Sequence, residues 1–557
     1  MRRPMNFRET LQYFLTILFQ VVIFTPFLLL LSCDEPEKVD ALYVNGNVYS
    51  VDSNNTVFWG MAVRDGKIVA MLREGEESGF LADSTIDLDG NPVYPGFIDA
   101  HCHFLGYGLF SFNVDLVGAQ SWDECVQRVV EFRNTHPEVN FITGRGWDQN
   151  DWGQVAFPTR DTLDILFPNT PVVLSRVDGH AIIANEAAIM QSDFPRDTIV
   201  SGGEIVRDGD RMTGVFIDAA ENLIKIPDAD SELQRMALLK AQEDCFAFGL
   251  TGVVDAGLTK ENIYIIDSLQ RIGELEMRMD VMISMDSADV MHFVEKGGIR
   301  TERLRVGGVK FYADGALGSR GARLIKPYSD RHDHYGFLIF NPQFFDHWAE
   351  VLAQTDFQMN THAIGDSANR MILETYAKHL GGRNDRRWRV EHAQVIHPDD
   401  FHYFEDYDIL PSVQPTHATS DMYWAEERLG AERIQSAYAY RELGNLSKAL
   451  PLGTDFPVEQ INPFLTFYAA VARKDIKGWP EEGFNPENSL TREKTLRGMT
   501  IEAAYSSFLE NEKGSLEVGK FADFIILDRD ILKVEENQIP QTVVLQTIIN
   551  GRTVYAN

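Results

Sequence analysis

Hydrophobic and polar residues follow two patterns along this chain, and each predicts a different part of the fold. Near both ends, in residues 40–93 and 519–555, short stretches alternate apolar with polar positions and are separated by turn-forming residues. Such alternation is typical of strands with one buried face. The dipeptides at 45–46 and 65–66, Asn-Gly and Asp-Gly, lie between such stretches and predict hairpin turns.

The region between these ends contains eight apolar, β-prone runs separated by helical stretches. Buried strands that alternate with helices predict an α/β fold of the (β/α)8 TIM-barrel type. One helical stretch begins at Ser231-Glu-Leu-Gln234, a capping-box pattern that predicts Ser231 as the N-cap residue. The eight strand candidates end near His101, Asp255, Ser284, Phe311, His362, His392, Gln414 and Asp455.

Residues of metal-ligating types occur at the ends of five of these strand candidates. His101 and His103 are two positions apart on an extended chain, so their side chains point to the same side and can bind one ion. The last candidate, Leu450-Pro-Leu-Gly-Thr-Asp455, ends in a carboxylate. Because barrel enzymes carry their active sites at the carboxyl ends of the strands, a metal site is predicted at one rim. The predicted ligands are His101, His103, Lys310, His362, His392 and Asp455.

Lys310 lies inside the apolar run Leu304-Arg-Val-Gly-Gly-Val-Lys-Phe-Tyr-Ala-Asp314. A lysine in a buried strand is rarely left as a bare ammonium, because desolvation disfavours the charge and lowers the pKa of the amine. The free amine can take up carbon dioxide to become a carbamate. Since a carbamate carries a carboxylate, Lys310 is a candidate bridge between two metal ions.

Six segments of the chain together resemble the amidohydrolase superfamily, and within it the YtcJ-like, N-substituted-formamide-deformylase-like branch. The resemblance covers nearly everything after Cys33 and is specific as a set, although any one segment alone would be weak. The segments are Pro95-Gly-Phe-Ile-Asp-Ala-His-Cys-His, Gly144-Arg-Gly-Trp-Asp, Lys310-Phe-Tyr-Ala-Asp-Gly-Ala-Leu-Gly-Ser-Arg, Asn360-Thr-His-Ala-Ile-Gly-Asp, Val390-Glu-His-Ala-Gln and Gly453-Thr-Asp-Phe-Pro-Val.

The resemblance implies a domain arrangement. Residues 34–93 and 510–557 are expected to form one composite β-sandwich, and residues 94–509 the hydrolase barrel. The resemblance also implies a divalent metal, with zinc expected and the number of ions, one or two, left open. The paired histidines and Asp455 are expected to hold one ion, and His362 and His392 a second, with carbamylated Lys310 between them.

The expected chemistry is attack by a metal-activated hydroxide on a polarised carbonyl. Asp455 is expected to accept the proton of the nucleophile and to pass it to a leaving nitrogen. His180 resembles a family position that faces the substrate, and it is expected to contact the carbonyl or the oxyanion.

The first two strand candidates are separated by about 150 residues, far more than one helix needs. Residues 105–227 are therefore predicted to be an insertion that starts at the metal rim and acts as a lid or substrate pocket. It is expected to set specificity through aromatic and charged groups that overhang the metal. The predicted substrate-binding residues in the insertion are Trp147, Asp148 and His180, and those that follow barrel strands are Asp314, Arg320 and His417.

The net charge is −32, from 51 basic and 83 acidic residues. Such an acidic chain is not expected to bind nucleic acid.

Residues 1–33 have a basic start, an apolar run and a terminal Leu-Leu-Ser-Cys33, which resembles a bacterial lipoprotein signal with cleavage before Cys33 and acylation of its sulfur. An uncleaved membrane-spanning anchor is the alternative. Either places the body outside the cytoplasm, in the bacterial cell envelope.

The ordered ligand set predicts a metal-dependent hydrolase of a carbon–nitrogen bond, other than a peptide bond, in a small amide, and the resemblance implies an amide such as an N-substituted formamide. The resemblance also implies that esters, lactones and phosphotriesters are alternative substrates, so the reaction subtype is less firmly indicated than hydrolysis. A further alternative is an extracellular ligand-binding or regulatory protein without turnover. Whether the chain forms a homo-oligomer is left open.

Overall fold

The computed structural model describes residues 36–137, 139–152 and 156–557. Its first seven strands are β1 Glu37–Val44, β2 Asn47–Tyr49, β3 Val57–Phe58, β4 Gly60–Arg64, β5 Lys67–Leu72, β6 Phe80–Asp87 and β7 Pro92–Pro95. The turn predicted at 65–66 is confirmed, since it joins the antiparallel strands β4 and β5 with positive φ at both positions. The hairpin predicted at 45–46 is wrong, because β1 and β2 belong to different sheets and the turn carries the chain from one sheet to the other.

The insertion follows the first barrel strand, β8 Phe97–Cys102, and contains a sheet of its own. Its strands are β9 Val114–Asp115, β10 Ile142–Trp147, β11 Val172–Arg176, β12 Ala181–Ala184, β13 Gly203–Asp208 and β14 Arg211–Asp218, and its helices are α1 Phe104–Phe110, α2 Trp122–Thr135, α3 Asp161–Leu166 and α4 Glu186–Ser192. The sheet order is β13-β14-β12-β11-β10-β9. Alternate residues along these strands enter two separate apolar clusters, so the insertion has a core on each face of its sheet.

Seven parallel strands form the barrel sheet. After β8 come β15 Leu250–Leu258, β16 Arg278–Ser284, β18 Leu304–Tyr312, β19 Gln358–Ala363, β20 Arg389–His392 and β21 Leu410–Ser412, while the short β17 Ile299–Arg300 pairs antiparallel with β18. The eighth strand candidate is not a regular strand. Around Leu452 it bonds on one side to Ala100 of β8 and on the other to Val413 beyond β21, so that the barrel is nearly closed.

Helices alternate with the barrel strands along the chain and pack around the barrel. They are α5 Ser231–Ala247, α6 Lys260–Arg271, α7 Ser287–Lys296, α8 Pro342–Ala353, α9 Asp366–Leu380, α10 His402–Asp406, α11 Pro415–Asp421, α12 Ala425–Arg433, α13 Tyr440–Leu446, α14 Pro463–Ala472, α15 Arg492–Gly498 and α16 Ile501–Ser506. The largest apolar cluster of the molecule lies between these helices and the barrel strands.

The two chain ends meet in one sheet. The last strands are β22 Phe524–Leu527, β23 Val544–Ile549 and β24 Arg552–Ala556, and β22 pairs with β7 in a sheet of order β24-β23-β22-β7-β2-β3. A four-stranded sheet of order β5-β4-β1-β6 shares an apolar cluster with it, in which Tyr43 and Met61 meet Phe524 and Ile548.

Within the residues that the structure describes, no helix has both the length and the apolar character of a membrane span. The predicted signal segment, residues 1–33 with Cys33, lies outside the described residues.

Candidate active site

The side chains predicted as metal ligands come together at the carboxyl end of the barrel. One donor atom each from His101, His392 and Asp455 lies within 4.8 Å of the others. His103 Nε2 lies 3.1 Å from Asp455 Oδ1, and Lys310 Nζ lies 3.2 Å from His101 Nε2. Because β8, β18, β20 and the segment around Leu452 all end at the same rim of the barrel, residues far apart in sequence form one cluster.

His362 and His392 form the other side of this cluster, with ring centroids 4.6 Å apart. His392 and Asp455 both have left-handed backbone, with φ of 72° and 63°. This conformation is unfavourable for residues with a Cβ and recurs at functional sites, where the surrounding structure holds it in place. Gly453 lets its segment approach the backbone of β8 closely, since a Cβ at this position would lie 2.6 Å from the backbone nitrogen of His101.

Buried polar groups fix the orientation of two of the histidines. His101 Nδ1 donates to Glu391 Oε2 at 2.5 Å, and His392 Nδ1 donates to Gln414 Oε1 at 2.7 Å. Each bond fixes the ring proton on Nδ1 and so leaves the lone pair of Nε2 as the ligand of its ring. Arg389 in turn donates to both oxygens of Glu391. Sequence reasoning missed Glu391, although it directly precedes a predicted ligand.

Burial controls the protonation of the cluster. It lowers the pKa of His101 to about 4 and the pKa of His362 and His392 well below the usual value. Burial also lowers the pKa of Lys310 to about 8. For Asp455 burial acts in the opposite direction, but the neighbouring histidines hold the pKa of its carboxyl well below the usual range. His101, His362 and His392 therefore offer neutral imidazoles and Asp455 an ionised carboxylate, the forms that bind metal.

Two donor atoms in the cluster, His362 Nε2 and Asp455 Oδ1, are buried without a well-aligned hydrogen bond among the described residues. The contact of Asp455 Oδ1 at 3.1 Å is with His103 Nε2, itself a predicted metal ligand. Buried polar atoms are rarely left unpaired in proteins. Imidazole nitrogen and carboxylate oxygen are the ligands typical of zinc and similar divalent ions. The donor set therefore fits a divalent cation.

His180 approaches the cluster from the insertion. Its Nδ1 bonds to Asp218 Oδ1 at 2.7 Å, and its ring lies 5.0 Å from that of His362. Burial lowers the pKa of His180, but Asp218 more than offsets this and raises it to about 9. His180 is thus an imidazolium near neutral pH, a hydrogen-bond donor at both nitrogens. Sequence reasoning missed Asp218, because only the folded insertion brings it to His180.

A cavity of about 710 Å³ opens over the cluster, between the insertion and the barrel loops. Of the predicted substrate-binding residues, Asp148, His180 and His417 line it. His417 Nε2 lies 3.6 Å from Asp455 Oδ2. Arg145 also lines the cavity and was missed as a site residue, although it stands in the quoted segment Gly144-Arg-Gly-Trp-Asp.

Three predicted substrate-binding residues do not reach the cavity, which corrects the expectation for them. Trp147 is fully buried in the core of the insertion, where its Nε1 donates to Leu174 O at 2.8 Å. Asp314 is buried and accepts two backbone N–H groups of the loop after β19, so it shapes that loop. Arg320 pairs with Asp330 outside the cavity.

A nearly closed parallel barrel with histidines, a lysine and an aspartate at its carboxyl rim defines a metal-dependent hydrolase. The chain belongs to the amidohydrolase family, whose profile matches residues 84–555. Within the amidohydrolase superfamily it belongs to the YtcJ-like branch, as the six sequence segments predicted.

Three relatives align over most of the chain. Protein LONG AFTER FAR-RED 3 of Arabidopsis thaliana is 32% identical, over 93% of this chain and 91% of its own. The putative amidohydrolase YtcJ of Bacillus subtilis is 28% identical, over 92% of this chain and 99% of its own. The N-substituted formamide deformylase of Arthrobacter pascens is 26% identical, over 92% of this chain and 97% of its own.

A solved structure shares the fold. The crystal structure of an uncharacterized metal-dependent hydrolase from Pyrococcus horikoshii OT3 is 28% identical, covers 89% of this chain and 99% of its own, and superposes with a TM-score of 0.72.

Proposed function

We propose that this protein hydrolyses a carbon–nitrogen bond, other than a peptide bond, in a small amide such as an N-substituted formamide. The observation that carries the proposal is the cluster of imidazole donors around one ionised carboxylate at the floor of a cavity, with His362 Nε2 buried and without a hydrogen bond among the described residues. The similarity to a formamide deformylase supports this substrate class.

The residues that would hold metal are His101, His103 and Asp455 for one ion and His362 and His392 for a second, with a carbamate on Lys310 between them. Zinc is the metal that we propose, because the donors are mainly imidazole nitrogens. The lowered pKa of Lys310 supports the carbamate, since the free amine is the form that takes up carbon dioxide. A divalent ion held there supplies Lewis acidity, which activates water and polarises the scissile carbonyl.

The protein's own groups move the protons and orient the substrate. Asp455, which is ionised and lies beside His103, accepts the proton of the attacking water and passes it to the leaving nitrogen. His180, held at Nδ1 by Asp218, donates from Nε2 to the carbonyl oxygen, where negative charge develops. Asp148 and His417 contact the non-reacting part of the substrate from the cavity wall.

A hydrolysis assay tests this proposal. Purified protein is offered N-formyl, N-acyl and cyclic amides beside matched esters, lactones and phosphotriesters, before and after chelation. We expect amide hydrolysis that is lost on chelation and restored by zinc. Because Asp455 transfers the proton, Asp455→Asn should lower kcat by about 10²- to 10⁴-fold.

Asp346→Asn serves as the matched control, since Asp346 pairs with Lys378 on an outer helix. Amide hydrolysis that survives chelation or Asp455→Asn would contradict the mechanism. Turnover of the esters, lactones or phosphotriesters alone would contradict the bond type. Binding of the amides without turnover under zinc, manganese or cobalt would make the protein a ligand-binding protein.

We also propose the domain division and the location of the protein. Residues 34–93 and 510–557 form a composite β-sandwich domain beside the barrel of residues 94–509, with residues 105–227 as its insertion. The apolar cluster shared by the two terminal sheets supports this division.

Residues 1–33 are a lipoprotein signal, and acylated Cys33 anchors the protein outside the cytoplasm in the bacterial cell envelope.

A further inference from the structure

The backbone of Arg145 is held on both sides in the insertion sheet. It lies on β10, where it pairs with Asp115 of β9 on one side and Ser175 of β11 on the other. The register with β11 shifts between Arg145 and Trp147, at Gly146, whose φ is 117°. A bulge of this kind re-aims side chains. The result is that Trp147 enters the core of the insertion while Arg145 lines the cavity.

The Arg145 guanidinium is buried with few partners. The residue is only 8% exposed, and among the described residues its guanidinium makes one hydrogen bond, from Nη2 to the backbone oxygen of Val177 at 2.5 Å. Its Nε is buried without a partner, and the group lies 4.9 Å from the ring of Phe110. A guanidinium has five N–H groups, and a buried one is normally paired with a carboxylate. Among the residues that the structure describes, Arg145 has no such pair.

Other buried arginines show what a satisfied guanidinium looks like here. Arg176, on the adjacent strand and also at the cavity, is paired with Asp148 and Asp178 and donates to Gln149. Carboxylates likewise pair with Arg278, Arg305, Arg387, Arg389 and Arg428. Arg473 has backbone acceptors and aromatic rings instead, but it does not line the cavity.

The carboxylates whose charges act on Arg145 are Asp455, Asp178 and Glu221. Asp455 belongs to the metal cluster, and Asp178 is already paired with Arg176. Glu221 is the internal competitor, because its Oε1 is also buried without a hydrogen bond. It does not lie within ion-pair distance of Arg145 in the structure. The Arg145 guanidinium therefore lines the cavity with N–H donors that have no acceptor among the described residues.

We propose that Arg145 binds a carboxylate of the substrate, and that the amides on which this protein acts carry such an acidic group. The reaction part of this statement rests on the proposed function, whereas the binding part does not. Because Arg145 and the metal cluster line the same cavity, one small molecule can place its amide at the rim and its carboxylate at Arg145.

Binding and turnover are tested with matched pairs of ligands. For binding, calorimetry compares N-methylsulfonyl-phenylalanine and N-methylsulfonyl-glycine with their carboxamides, since sulfonamides resist hydrolysis. For turnover, kcat/KM is compared for the N-formyl and N-acetyl derivatives of the same two amino acids and their carboxamides. The variants are Arg145→Gln, Arg145→Lys and Glu221→Gln, with thermal unfolding to show that each is folded. Arg207→Gln on the edge strand β13 removes the same charge from the insertion and is the control.

We expect the wild type to bind the acid at least about tenfold more tightly than the carboxamide, as is typical of a hydrogen bond to a charged group. Arg145→Gln should abolish this preference by weakening the acid alone, Arg145→Lys should retain part of it, and Arg207→Gln should leave it unchanged. Glu221→Gln should keep or increase it, since a competing carboxylate is removed.

An equal preference in the wild type and Arg145→Gln, a preference of the wild type for the carboxamide, or the binding of neither ligand would overturn the inference. Loss of the preference in Glu221→Gln would do so as well, because Arg145 would then act through Glu221. If the protein binds the acid more tightly than the carboxamide but hydrolyses none of the amides, only the proposed function is contradicted. If it hydrolyses the amides without preferring the acid, only the role of Arg145 is contradicted.

Discussion

Glu391 acts on the metal cluster without lining the cavity. It is fully buried between Arg389 and His101 and bonds to both. Burial alone would raise the pKa of this carboxyl, but Arg389 and His101 hold it well below the usual value. Glu391 therefore stays ionised over the whole working pH range, and His101 keeps its proton on Nδ1 and presents Nε2 to a metal ion.

Lys310 carries a prediction at the same scale. Protein loaded with metal in ¹³C-bicarbonate should show a carbamate carbon signal by NMR, because the buried amine has a pKa lowered to about 8 and lies among the metal-ligand candidates, 3.2 Å from His101 Nε2. Lys310→Ala should lose this signal and at least about tenfold in activity, with partial recovery in a short-chain carboxylic acid that fills the gap.

Lys513 offers a matched control, since it is also buried, its pKa is also lowered to about 8 by burial, and its Nζ lies near Gly252 at the start of β15. Lys513→Ala should keep the carbamate signal. A wild type that is active and metal-loaded but gives no signal would rule out the bridging role and favour a one-metal mechanism.

At the scale of elements, the apolar runs with a polar residue at one end were enough to find the barrel strands and the cluster at their ends. The finer local structure depended on tertiary contacts. The capping box predicted Ser231 as N-cap, but Asp230 caps α5 and accepts from Leu233 N, because both residues are good caps and packing decides between them. Trp147 was expected at the cavity as an aromatic group of the insertion, but the bulge at Gly146 turns it from the face of Arg145 into the core of the insertion.

At the scale of the whole molecule, the cavity could not be predicted from the sequence in detail. It lies between the insertion and the barrel loops, so contacts such as that of His180 with His362 depend on how two separately packed parts dock. The sequence offers residue types and strand ends, but not the docking geometry. That is why the metal-ligand candidates were found and Arg145 and Asp218 were not.

The membrane anchor is a prediction for the whole chain. Expressed in a bacterium, the protein should incorporate labelled fatty acid and partition with the membrane fraction, because the proposed lipobox directs cleavage before Cys33 and acylation of its sulfur. Cys33→Ala should lose the label, whereas Cys102→Ala, at a buried barrel position, should keep it. Label that persists in Cys33→Ala would contradict the lipobox, and an intact N-terminal peptide of residues 1–32 would indicate an uncleaved anchor instead.

The metal content of the purified protein tests the central claim most directly. Elemental mass spectrometry of the protein should find a stoichiometric divalent metal, predominantly zinc, at about one or two ions per chain. His392→Ala should lose most of it, because His392 stands between both halves of the cluster, while His347→Ala, in the outer helix α8, should retain it. Hydrolytically active protein with no stoichiometric metal, or His392→Ala protein with a wild-type metal content, would contradict the account.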